Sequence, residues 1–492
     1  LRQIEHHETP QADRISLVQK SAYSIGMLVN NLQAAALPAM VVILNLGLGM
    51  SPVLVGIIGF APRIFDALSD PMMGYISDHT MTRWGRRRPY IFAGAILAGI
   101  VFAAMWQLPP GHSESFYFWT FLTASILYFL AYTIYATPFV AFGFEMTPDY
   151  HERTRLQAFA NTVGQLAWLG VPWFYAIMAS DLFDNTVHGA RVLALWVGGA
   201  ICLLGIFPAI FCREKIVSIP GESKIDDGLL KVQGFWGHTK DFLQGIGTAL
   251  KCRPFAKLCS ATFLVFNGYQ LGASFSLYVI IYYVFLGDNE QAGNLFGWFG
   301  TLTAVSTLVV IPLTAWISTK IGKRETFLIT ISLSLVGYAM KWIGYNPEHP
   351  YWLLASCPFV AFGTGSLFTL MGSMVADVCD YDELESKQRR EGVFGAIYWW
   401  MVKVGMALAG LLTGIMLEIS GFDVALKESQ SGGTLLLLRI FDVGVPLISS
   451  AIAIWIISTY EITEARAYEI RAELERRRGK PDELTGEDIL SV

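Results

Sequence analysis

About twelve stretches of this chain stay apolar for close to the ~20 residues that carry an α-helix across a bilayer. They run near 22–47, 52–78, 90–107, 115–146, 156–180, 191–212, 255–285, 293–318, 325–344, 350–378, 391–418 and 438–459. Hydrocarbon offers no partner to backbone N–H and C=O groups, so such segments must close their own hydrogen bonds, as helices do. The expected fold is an all-α membrane protein with twelve transmembrane helices. A composition of 53% hydrophobic and 15% charged residues agrees with it.

Lysine and arginine set the orientation. The connections after spans 2, 4, 6, 8 and 10 hold nineteen of them, and the opposite connections hold only Arg191 and Lys427. Short basic loops stay in the cytoplasm, so both termini are expected inside. Lys341 and Arg439, at the outer ends of their spans, are expected to snorkel toward the headgroups. The net charge of -5 implies no nucleic-acid partner. Six cysteines fall in apolar spans or inner loops, which predicts no disulfide framework.

The longest polar insert, 213–254, follows span 6 and divides the chain into two sets of six spans. The expected organisation is a tail and six-helix bundle over 1–212, a cytoplasmic linker over 213–254, a second bundle over 255–459 and a cytoplasmic tail over 460–492. Within the linker, GFWGHTKDFLQGIGTALKCRPF reads as an amphipathic helix lying on the membrane. The C-terminal tail reads as a charged, solvated helix. The halves echo each other: DHTMTRWGRRRPYIF after span 2 corresponds to STKIGKRETFL after span 8, and EMTPDYHERTRLQAF after span 4 to DVCDYDELESKQRREGVF after span 10. Repeats displaced by six spans imply two related bundles, with a solute site near mid-membrane between them.

An ionisable side chain at mid-membrane costs about 2.5 to 3.5 kcal/mol on insertion scales, so each one needs a reason. Arg63, Asp66 and Asp70 in span 2 and Lys403 in span 11 are read as the deepest. Asp66 and Asp70 are four apart and share a helix face. Either one of them neutralises Arg63 in a purely structural role, or the pair leaves a negative charge for a monovalent cation. Na⁺ would take oxygen ligands from the carboxylates, with Thr133 of LAYTIYATPF as a neutral oxygen. If H⁺ is the coupling ion, the carboxylates must carry it, because no histidine lies mid-span.

RIFDALSDPMMGYISD followed by RWGRRRP, the PF before the EMTPD turn, ERTRL after span 4, and ADVCDYDE followed by RREG and MVKVG together resemble the glycoside-pentoside-hexuronide:cation symporters. That family lies within the major facilitator superfamily, and the resemblance covers almost the whole membrane domain. It implies the major facilitator fold, a bacterial inner membrane and no cofactor. It also implies that Asp66 and Asp70 are the cation-binding acids, Thr133 the threonine beside them, Lys403 the span-11 lysine and Tyr132 a tyrosine near the sugar. Three positions depart from the pattern of the family's best-known member. Asn31 stands where that protein has a sugar-binding aspartate, Ala136 where it has an aspartate shared by sugar and cation, and Asn161 where it has an arginine. The charged sugar clamp is absent, so galactoside specificity does not transfer.

Amides and aromatics stand in its place: Asn30, Asn31 and Gln33 in span 1, Asn161, Gln165 and Trp168 in span 5, Asn267, Tyr269 and Gln270 in span 7, and Tyr398, Trp399 and Trp400 in span 11. Amides donate to and accept from vicinal hydroxyls, and aromatic faces cover the apolar side of a sugar ring. The same residue types also form interhelical hydrogen bonds and interfacial belts. Lys403 either pairs with Asp66 or Asp70 or meets an acidic solute group. Near the inner face, Asp377, Asp380, Asp382 and Glu383 follow span 10, with Arg153, Arg155, Arg389 and Arg390 in neighbouring loops. They form either a solvated charge cluster or an inner gate of Arg153, Arg155, Asp377, Asp380 and Arg389.

The expected function is cation-coupled symport of a glycoside or other sugar-like solute by a monomer surrounded by membrane lipid. A carrier of amphipathic lipid is the alternative, against which the amide set argues. A non-transporting receptor would not need buried acids. A membrane enzyme would need a catalytic constellation, and neither a metal-spaced His/Asp/Glu cluster nor a G-x-S-x-G elbow is present.

Overall fold

The computed structural model describes residues 11, 13–80, 82–109, 111–147, 149–213, 247, 249–386 and 391–477. Most of the amphipathic helix expected in the linker, together with Arg389 and Arg390, lies outside them. Twelve long helices follow one another among the described residues: α1 Leu17–Met40, α2 Pro52–His79, α3 Arg88–Met105, α4 Glu114–Glu145, α5 Tyr150–Gly170, α6 Thr186–Gly205, α7 Arg253–Val279, α8 Asn289–Ile321, α9 Lys323–Gly344, α10 Cys357–Ser386, α11 Glu391–Ile419 and α12 Gly432–Ser458. A shorter helix, α13, spans Glu464–Arg477. Eleven of the described helical segments are long and apolar enough to cross a membrane. The exception is α5, whose Glu152, Arg153, Arg155, Asn161 and Gln165 lower its apolar content.

Local signals explain where several helices begin. Ser16, Ser113, Asp149 and Ser431 each accept a hydrogen bond from the backbone N–H three residues on, satisfying a donor that has no partner within its own helix. Proline opens α2 and follows the first residue of α3 and α7, where its missing N–H costs nothing. The two basic turns that echo each other share a backbone feature: Gly85 and Gly322 both take positive φ, at 108° and 86°. A side chain at either position would be strained, so glycine between the charges is a requirement of the turn.

By compactness the chain forms two units. The first draws on Leu1–Val232, Phe285–Thr301 and Gly410–Gln430, and the second on Gln233–Val284, Leu302–Ala409 and Ser431–Val492. In the first, the start of α8 and the end of α11 join α1 to α6. Trp173 Nε1 donates to Thr301 Oγ1 at 2.8 Å, and Tyr175 OH donates to Asn289 Oδ1 at 2.8 Å. A Cβ on Gly414 would lie 2.3 Å from Pro52 O, so only glycine allows α11 so close to α2.

The second unit has a core of Phe255, Leu258, Phe327, Ile331, Leu367, Met371, Met374 and Phe394 that extends to Ile470 and Leu474 of α13. This corrects the expectation of a solvated tail. The charges of α13 dominate its sequence, but two apolar residues one turn apart are 1% and 5% exposed. Arg477 also donates to Leu384 O near the end of α10 at 3.0 Å.

Candidate functional site

The sequence of α2 separates two faces. Phe65, Leu68, Met72 and Ile76, at helical spacing, are 39% to 54% exposed and form the face for lipid. Asp66 and Asp70 lie more than a quarter turn away. Asp66 and Thr133 are each 1% exposed, and Asp70 is half-buried. Thr133 Oγ1 donates to Asp66 Oδ1 at 3.1 Å and lies 3.0 Å from Ser69 Oγ. One turn along, Thr137 Oγ1 donates to Asp70 Oδ1 at 3.2 Å. The structure thus brings together the predicted Asp66, Asp70 and Thr133 and adds two hydroxyls, Ser69 and Thr137. Their signal in the sequence was spacing alone: Ser69 is three after Asp66, and Thr137 four after Thr133.

Arg63, also buried, directs its guanidinium elsewhere. It donates to Ala34 O at 3.1 Å and lies 4.7 Å from the centre of the Phe129 ring. Beside it in α1, Gln33 is fully buried, and neither of its amide atoms has a partner among the described residues. An unpaired buried amide typically costs about 1 to 3 kcal/mol, which marks this as a place suited to receiving a polar group.

The remaining solute candidates of the first unit divide by environment. Asn31 Nδ2 donates to Gly164 O at 3.0 Å, tying α1 to α5, so its donor serves an interhelical bond. Tyr132 is half-buried and meets Phe129 edge to face. On α5, Gln165 is half-buried, whereas Asn161 and Trp168 are exposed.

In the second unit, Asn267 is 7% exposed and donates to Phe263 O at 2.8 Å, while its Oδ1 has no partner among the described residues. Its amide occupies the space left by a missing side chain: a Cβ on Gly405 would lie 2.3 Å from Asn267 Nδ2. Gln270, one turn later, is half-buried. A pocket is lined by Phe368, Gly372, Val375, Gly395, Tyr398 and Trp399. In it the Phe368 and Trp399 rings are nearly parallel, with centres 6.2 Å apart. Tyr398 is buried and Trp399 is 58% exposed. Lys403, half-buried, is one turn beyond Trp399 on the same face of α11. Phe368 escaped sequence reasoning because an aromatic in an apolar span has no distinguishing pattern.

At the ends that carry the basic turns, Arg86 and Arg87 both reach Glu145, the latter at 2.7 Å. Arg155 pairs with Glu152 at 3.4 Å, and Arg153 donates to Thr147 O at 3.1 Å. Asp377 is held by Lys323 of α9 at 2.7 Å. Asp380 is half-buried at the end of α10. Glu152 also accepts from Ile15 N at 3.0 Å and pairs with Lys20 at 2.7 Å. Burial alone would raise its carboxyl pKa, but Lys20, the Ile15 N–H and Arg155 together hold it below the ordinary value.

Two expectations about deep charge need correction. Lys341 does not snorkel. It is 3% exposed and pairs with Asp442, fully buried in α12, at 2.6 Å. The membrane charges that matter therefore include this pair as well as those of α2 and α11. A lysine near a span end snorkels only when no acid lies within reach inside the bundle, and Asp442 is within reach of Lys341. Arg439 stays near the surface, with its guanidinium between Tyr283 and Trp342 at 4.2 Å from each ring.

Residues 22–464 match the family described as MFS/sugar transport protein. The uncharacterized symporter YnaJ of Bacillus subtilis is 24% identical over 469 residues, covering 94% of this chain and 96% of YnaJ. The isoprimeverose transporter of Lactiplantibacillus pentosus is 24% identical over 447 residues, covering 89% of this chain and 86% of its own. Among solved structures, a D-xylose-proton symporter shares the fold at a TM-score of 0.56 and 15% identity, over 88% of this chain and 96% of that one.

Proposed function

The chain belongs to the MFS/sugar transport protein family, and from the carboxylates and hydroxyls that α2 and α4 bring together we propose a symporter that couples uptake of a sugar-like solute to entry of a monovalent cation. It is a multi-pass integral membrane transporter and not an enzyme. The observation that carries the coupling site is the hydroxyl contact of each acid in α2 with α4: Asp66 with Thr133, and Asp70 with Thr137. Five oxygen-bearing side chains, with Ser69 the fifth, offer the ligand type that a hard cation selects, and on that ground we assign Na⁺ ahead of H⁺.

The solute reading draws on Asn267, the aromatic pocket and Lys403. A sugar ring would lie against Trp399 and Phe368 and offer hydroxyls to the side-chain oxygen of Asn267, while Lys403 would meet a ring or acidic oxygen. Gln33, Tyr132 and Gln165 are the candidates from the first unit. Transport would proceed by alternating access, with the bundles over 1–212 and 255–459 rocking about the site and 213–254 joining them.

Thermal denaturation of the purified protein tests this reading, because a ligand that binds only the native state raises its stability according to its excess over Kd. A panel of glycosides, beginning with isoprimeverose, is measured in NaCl and in KCl at equal ionic strength. At least one glycoside should raise Tm, and by more in NaCl. Equal shifts in both salts would remove sodium. A panel without effect, alongside a lysolipid that stabilises, would replace the sugar reading with a lipid carrier.

A further inference from the structure

Beyond Val279, α7 continues through a π-helical turn, Ile280–Val284. A π turn takes in about one residue more than an α turn, is rare, and is frequent at functional sites. In this chain it is gripped from both sides. Gly272 brings α7 so near α12 that a Cβ there would lie 2.8 Å from Asp442 O. Ser276, one turn later, therefore reaches the buried ion pair. Its hydroxyl donates to Asp442 Oδ1 at 2.7 Å and accepts from Lys341 Nζ at 2.9 Å. Tyr345 OH donates to Asp442 Oδ2 at 2.6 Å, completing the cluster. On the far side of the junction, Tyr283, inside the π turn, lies under the Arg439 guanidinium, whose other face covers Trp342. Arg439 also donates to Trp342 O at 3.1 Å.

The two grips bind to the same pair of helices. Lys341 and Trp342 lie in the last turn of α9 and Tyr345 follows it directly, and Arg439 and Asp442 are three apart on α12. In an unbroken α-helix, residues seven apart return to nearly the same face, so Ser276 and Tyr283 would point alike. The extra residue rotates the remainder of the helix by close to one helical step, about 100°. With that residue in place, Tyr283 meets Arg439 and Ser276 meets Asp442. Burial does not explain the charges, since apolar residues of similar volume often hold helices together as well as a buried ion pair does. What the pair and the stacked arginine add is direction: with the extra residue present, both are satisfied together.

We propose that the Lys341–Asp442 pair and Arg439 are positioning residues that hold the π turn of α7 as a joint, and that the end of α7 turns by passing between π and α register during transport. This rests on the reading of the chain as an alternating-access transporter.

Three variants of the full-length protein test it: Arg439→Leu, Arg439→Lys, and the paired change Lys341→Met with Asp442→Leu, which leaves no lone buried charge. Amide hydrogen exchange is read along α7, and sodium-driven isoprimeverose uptake is read in proteoliposomes. In Arg439→Leu, amides 280–284 should exchange at least about tenfold faster, with 255–272 within about twofold of wild type. Arg439→Lys, which keeps a cation over the rings, should restore the slow pattern. Uptake by Arg439→Leu should lose at least about fivefold in maximal rate with KM within about twofold, because the solute residues of α7 lie on earlier turns. The paired variant should behave like Arg439→Leu. Unchanged exchange in 280–284, a uniform rise along α7, α9 and α12, or a normal maximal rate would overturn the joint. A wild-type protein that takes up no isoprimeverose in sodium would count against that solute, and the exchange pattern would still decide the joint.

Discussion

At the scale of single residues, each acid of α2 meets a neutral hydroxyl of α4. Thr133 and Thr137 each donate one hydrogen bond to a carboxylate and retain lone pairs, which the proposed coupling site would offer to a cation. Asp66→Asn removes the charge with little change in volume, so the protein should fold and bind solute while losing sodium-driven accumulation. Asp70→Asn, at a half-buried position, should do the same. Normal accumulation against a gradient in either variant removes that residue from coupling. Thr133→Ala should weaken sodium affinity by roughly 2- to 13-fold, the range expected for one hydrogen bond of about 0.5 to 1.5 kcal/mol. On the solute side, Gly405→Ala puts a Cβ 2.3 Å from the Asn267 amide and must displace it. Solute affinity should fall while sodium affinity holds, and titrating both ligands against the same variant checks the separation.

These residues were unequally legible. Asp66, Asp70 and Lys403 stand out because charge in an apolar helix is expensive. Ser69 and Thr137 are ordinary in a membrane helix and acquire meaning only beside an acid from a neighbouring helix. Lys341 and Asp442 are 101 positions apart, and no local pattern joins them.

At the scale of elements, helix ends carry more of the organisation than their charge suggests. Glu152 gathers Ile15 N, Lys20 and Arg155, so it ties the segment before α1 to the start of α5. A carboxyl with a depressed pKa stabilises the fold above its unfolded value and loses that contribution as pH falls through its folded value. The tie should therefore hold at neutral pH and weaken as pH falls through and below the ordinary carboxylate range. Melting curves across that range should fall more steeply for wild type than for Glu152→Gln, and parallel curves would show that Glu152 contributes nothing there. The tail helix is a second case. Leu474 is 5% exposed, so Leu474→Asp buries a charge or undocks α13. Brief trypsin treatment should then cut at Arg471 or Arg476 at doses that spare wild type. Equal resistance would mean that α13 does not depend on this contact.

For the whole molecule, the question is whether charge at the basic-turn ends governs alternation. Asp377 pairs with Lys323 within its own unit, and Asp380 lies half-buried three residues further along α10. If Asp380 supports closure of the inner side, Asp380→Asn should shift the population toward the inward-open state. Partly exposed pairs are worth about 0.2 to 1 kcal/mol, so the shift should be no more than roughly fivefold. Gly372 is a suitable reporter, because a side chain there meets nothing within 4 Å. Labelling of Gly372→Cys from the cytoplasmic side should rise in Asp380→Asn, and labelling that stays level or falls would return Asp380 to a solvated surface.

Hydropathy and span length by themselves determined the membrane class, the helices and the presence of an acid pair within an apolar helix, because each follows from the cost of polar groups in hydrocarbon and is written locally. The capped starts and the glycine-dependent turns were local as well. Tertiary structure decided which groups meet: the hydroxyls of α4 on the acids of α2, Asn267 over Gly405, Lys341 on Asp442 instead of at the headgroups, and the docking of α13. Those outcomes depend on the rotation of each helix and on close approaches at glycine, quantities that packing sets between segments far apart in the chain and that no periodicity within one helix contains.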